Sequence, residues 1–63
     1  MINIEQRIEE ARIDASLAFR DFKSLTNRLE RGENISIDSL REEEEMYSYH
    51  SEKLCDLIKR RNQ

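Results

Sequence analysis

Apolar side chains in the first half of the chain recur at Ile4, Ile8, Ala11, Ala15, Ala18, Phe22, Leu25 and Leu29, in steps of 4, 3, 4, 3, 4, 3 and 4. That is an unbroken heptad seam, with Ile8, Ala15, Phe22 and Leu29 at a and Ile4, Ala11, Ala18 and Leu25 at d. A strand, with its period of two, would scatter these residues over both faces. The spacing predicts one helix over about 4–31. Asn3 is its N-cap, and Gln6 is placed to complete a capping box. Gly32, the only glycine, ends it, because glycine enters the left-handed C′ conformation without a Cβ penalty. Arg28 and Arg31 in the last turn suit the negative end of the helix dipole.

Residues 32–35 form a short turn, and Ser36 is a good N-cap for a second helix over about 37–61. Ile35 and Leu40 have the spacing of a hydrophobic staple. Ile37, Leu40, Tyr47, Leu54 and Ile58 follow a heptad along this helix, with Glu44 and Ser51 in the positions between them and Leu57 widening the stripe. Two helices of similar length joined by a short loop predict an all-α fold, an antiparallel two-helix hairpin of coiled-coil character forming a single domain over 1–63.

The seam of the first helix is small in its middle. Ala11, Ala15 and Ala18 admit a close helix neighbour, but they bury little area. Ile2, Ile13, Leu17 and Phe19 lie off this seam, as Met46, Tyr49 and Leu57 lie partly off the second. Several large apolar side chains outside the seams of so small a hairpin mark an interface. A homodimer or higher oligomer is expected, most simply a four-helix bundle, with Ile13, Leu17, Phe19, Met46 and Tyr49 as its candidate interface.

Composition narrows the remaining chemistry. The chain is 40% charged, a level compatible with disorder, but the ordered apolar spacing argues for helices instead. Chains of 63 residues usually need a disulfide, a metal or self-association to fold. The single Cys55 excludes an internal disulfide, and with no leader segment it suggests a reducing, cytoplasmic setting. One His and one Cys are too few for a zinc site, and no apolar run is long enough to span a membrane.

Basic and acidic side chains balance over residues 1–31, so the second half supplies the whole net charge of −3. Such a balance makes nucleic acid an improbable partner. Consecutive Glu42, Glu43, Glu44 and Glu45 point in four directions about 100° apart, so they cannot converge on one ion. They read as a solvated docking patch for a basic protein partner. His50 reads as a half-exposed interface residue and Cys55 as a structural one. Tyr47 and Tyr49 serve packing, and Lys59, Arg60 and Arg61 complement the helix dipole. With no phosphate loop, nucleophile motif or concave acid–base site, neither catalysis nor a cofactor or small-molecule substrate is expected.

Two family resemblances extend this reading. Leu29-Glu30-Arg31-Gly32-Glu33, followed by Ile35-Ser36-Ile37 and Leu40 before an acidic helix, resembles the turn of the exonuclease VII small subunit, with Asn34 as an insertion. That resemblance implies a non-catalytic subunit bound to a large catalytic chain. As a whole, the short, acidic, cysteine-poor helical chain resembles the small early-region proteins of lambdoid bacteriophages, encoded between exo and xis. This second resemblance implies an early regulatory or host-interaction protein and is the preferred of the two. A weak DNA-binding accessory role through Lys59, Arg60 and Arg61 is a further alternative.

Overall fold

The structure is a computed structural model and describes residues 3–63; Ile2, placed off the first seam by the sequence, lies outside them. Helix α1 spans Ile4–Glu30 and helix α2 spans Ile37–Arg61. They pack side by side as a hairpin, and the described residues contain no strand. At about 1.5 Å per residue each helix is ~40 Å long, which accounts for the 46 × 17 × 14 Å extents.

Each end of α1 is closed by local chemistry. Asn3 accepts a hydrogen bond from the Gln6 backbone N–H on its side-chain Oδ1 at 2.8 Å, one half of a capping box. At the other end the Gly32 N–H donates to the Leu29 carbonyl and the Glu33 N–H to the Arg28 carbonyl. This is the paired pattern of a Schellman motif, and it requires Gly32 to adopt φ +88°. Glu33 then folds back so that its carboxylate accepts from Arg28 Nε at 3.1 Å and from the Arg31 guanidinium at 3.2 Å. Both contacts hold the Glu33 carboxyl below its usual range, the Arg28 hydrogen bond most strongly.

Helix α2 begins at Ser36, whose hydroxyl oxygen accepts from the Ser39 N–H at 3.1 Å. Asp38 in the first turn and Lys59, Arg60 and Arg61 in the last lie at the ends that suit their charges. At the open end of the hairpin Arg61 reaches Glu5 at 3.5 Å, which ties the last turn of α2 to the first turn of α1.

The core is thin. Ile8, Ala11, Ala18 and Leu57 are the buried hydrophobic residues, with Ile4, Leu54 and Ile58 packed around the Ile8–Ala11–Leu57 cluster. Towards the turn, packing passes to aromatic rings. Tyr47 stands against Phe19 at 5.3 Å and Phe22 at 6.4 Å between ring centroids. Such pairs contribute ~0.5–1.5 kcal/mol beyond their area, offsetting the small area that the alanines bury.

Candidate interaction surface

The side chains of the first seam divide by level. Ile8, Ala11 and Ala18 are buried, Ile4, Ala15, Phe22 and Leu25 are half-buried, and Leu29 at the turn is exposed. On α2, Leu40, Tyr47, Leu54 and Ile58 are half-buried. Leu57, which widens the stripe, is the one buried side chain of α2, and polar residues turn inward with it: Glu43, His50 and Ser51 are half-buried. Leu40, Glu43, Tyr47, His50, Leu54 and Leu57 form a row in steps of 3 and 4, the signal by which this face is recognised. Ile37, by contrast, is 71% exposed.

The hairpin has two unlike flanks. One carries clefts. Leu17 and Ala18 of α1 and Met46 of α2 line the first, together with Glu43, His50, Asp14 and Asp21. Nearer the termini a second cleft is lined by Ala11, Leu57 and Tyr49 and by charged residues including Arg7, Asp14, Lys53 and Arg60. His50 Nδ1 is buried here and has no hydrogen-bond partner, while its ring meets Tyr49 edge-on at 5.1 Å. Carboxylates and cations therefore interrupt the apolar surface of this flank, and burying it would desolvate them at a cost of several kcal/mol per unpaired ion.

The other flank carries the Phe19–Tyr47 contact. Phe19 is two residues from Leu17, ~200° round α1, so these two candidate interface residues do not share a surface. Ile13 projects from the side of α1 away from α2 and is 51% exposed. The five candidates Ile13, Leu17, Phe19, Met46 and Tyr49 are all substantially exposed, but they do not form one patch.

The four glutamates also separate. Glu43 lines the first cleft, whereas Glu44 and Glu45 line a shallow depression with Arg41, Ser48, Tyr49 and Glu52 on the outer side of α2. Glu42 is exposed. Among the described residues, no three His, Cys, Asp or Glu side chains are grouped to hold a metal ion, and no helix is long and apolar enough to cross a membrane. Cys55 is exposed, contrary to the structural role expected of it, because Leu54, Leu57 and Ile58 take the inward positions of that turn. No family model, curated protein or solved structure matches the chain.

Proposed function

We propose that this chain is a non-catalytic protein–protein interaction module that works as a homo-oligomer, two hairpins forming a coiled-coil-like four-helix bundle. The observation that carries the reading is surface area. A folded monomer of 7.6 kDa exposes about 4,300 Å² on the general scaling with mass. The hairpin exposes 5181 Å². The excess of ~900 Å² matches the ~800 Å² that each partner contributes to a standard interface. Its radius of gyration, 14.5 Å, likewise exceeds the ~10.6 Å expected of a compact chain of this length.

In this reading the exposed Glu42 and Glu45 remain outside the bundle, available to a larger partner with a basic surface. The resemblance to early-region phage proteins supplies the setting, a regulatory or host-interaction role in the host cytoplasm. Thermal unfolding followed by circular dichroism over a hundredfold range of concentration tests the self-association. The midpoint rises with concentration for an oligomer; a concentration-independent midpoint with full helicity would refute it.

A further inference from the structure

We propose that the second copy docks on the Phe19–Tyr47 flank by a half-turn about an axis running along the hairpin, with both turns at one end. The inference rests on the self-association proposed above and specifies its face and register. Each α1 then lies antiparallel against α2 of the other copy, and residues of equal level meet. A half-turn about an axis crossing the helices also brings like flanks together. It sets each helix against its own copy, with the turns at opposite ends and every level reversed about the middle.

Charge decides between these axes and between the two flanks. Leu17 is the central residue of α1 and Tyr49 that of α2, and the level contacts Phe19–Tyr47 and Glu5–Arg61 place these midpoints side by side. Helical phase puts the charged Glu5, Glu9, Arg12, Lys23 and Glu30 of α1 on the Phe19 side. Arg41, Glu44 and Ser48 face the same way on α2, where they form the near rim of its outer depression.

The crosswise axis fails on both flanks. On the Phe19–Tyr47 flank it sets Arg12, five residues from the middle, against Lys23, six out on the other side, and likewise Glu5 against Glu30. On the cleft flank it sets Asp14 against Asp21, Arg7 against Arg28 and Glu42 against Asp56. The lengthwise axis on the cleft flank gains Asp14–Lys53, but it brings Arg7 level with Arg60 and Glu10 level with Asp56, all of them lining that flank. Like charges facing each other across an interface cost several kcal/mol.

The lengthwise axis on the Phe19–Tyr47 flank is the one arrangement of the four that sets no like charges within one residue of level. Lys23 and Glu44, six and five residues from the middle towards the turn, meet twice, once from each copy. Arg41 stands two residues further out than Lys23. Side chains tilt towards the N-terminus of their own helix, so Arg41 leans away from Lys23 and towards Glu30. Among the described residues none of Lys23, Glu30, Arg41 and Glu44 is in an ion pair within the hairpin. Phe19, 45% exposed, comes level with Ser48 and Ser51 of the other copy, whose small side chains let the ring approach the helix. Complementary charges of this kind fix register more than they add affinity.

A charge swap and a spin-label distance on the full chain test the proposal. Lys23→Glu and Glu44→Lys should each weaken dimerisation about tenfold, and the two together should restore it. The crosswise axis predicts the opposite for the first change, because Lys23→Glu would there face Arg12 and tighten the dimer. Spin labels on Asn34→Cys, combined with Cys55→Ser, read the register directly. Turns at one end place the labels within about 25 Å, two or three helix spacings of roughly 8–10 Å. Turns at opposite ends separate them by nearly the 46 Å length of the hairpin. Leu17→Glu, on the cleft flank, should leave dimerisation unchanged. A monomeric wild type would sink the functional reading itself. A dimeric wild type that is tightened or unaffected by Lys23→Glu, is not rescued by the double change, holds its turn labels a hairpin's length apart or is split by Leu17→Glu would overturn the assigned face and axis alone.

Discussion

Arg28 and Glu33, five residues apart across the end of α1, clasp the turn through a 3.1 Å bond from Nε to Oε1, and Arg31 closes on the second carboxylate oxygen. Because these contacts lower the Glu33 pKa, its stabilisation is present above the ordinary glutamate range. It fades as pH falls through that range towards the lowered value. Glu33→Gln should therefore unfold at a lower temperature than wild type at neutral pH. The difference should close in acid and shrink in high salt, since the pair is exposed. Equal melting curves at neutral pH and low salt would show that the clasp contributes nothing.

Gly32 adopts φ +88°, and beyond its immediate chain neighbours no atom lies within 4 Å of where its Cβ would stand. Substitution therefore meets backbone strain without steric conflict. Gly32→Ala should cost ~1–2 kcal/mol in chemical denaturation, and Gly32→Asn less, because asparagine tolerates the left-handed region better. Equal stability of the alanine variant would place the turn in another conformation.

Ala11 is 3% exposed between the helices, whereas Ala15 is half-buried. Ala11→Leu should overpack the contact and destabilise the fold by ~1–3 kcal/mol, with Ala15→Leu milder because its side chain can turn outward. The reverse order in urea titrations would require a different rotation of α1.

His50 Nδ1 is buried without a hydrogen-bond partner, and an orphaned polar atom costs ~1–3 kcal/mol. His50→Leu should accordingly raise stability by ~1 kcal/mol. A loss would show that the imidazole has a partner in solution.

Much of the hairpin is legible in the chain. Ile4 to Leu29 repeat without a break, Gly32 is the only residue suited to the C′ position, and Ser36 caps the second helix. The rotation of α2 is less legible because its apolar residues are sparse enough to fit two rows. One row passes through Glu44 and Ser51, the other through Glu43 and His50. Hydrophobicity alone cannot weigh a histidine ring or the aliphatic stem of a glutamate against a serine, but Leu57 three residues beyond Leu54 is a clue to the second row. The Glu33 clasp depends on the path of the turn, which residue types do not reveal. Likewise, the division of Leu17 from Phe19 between two flanks emerges only once α1 has been rotated against α2.

Sedimentation equilibrium of the full chain at micromolar concentration and neutral pH tests the central claim most directly. The account predicts twice the chain mass of 7.6 kDa, falling towards the single-chain value on dilution. A fully helical species holding 7.6 kDa at every concentration would contradict it.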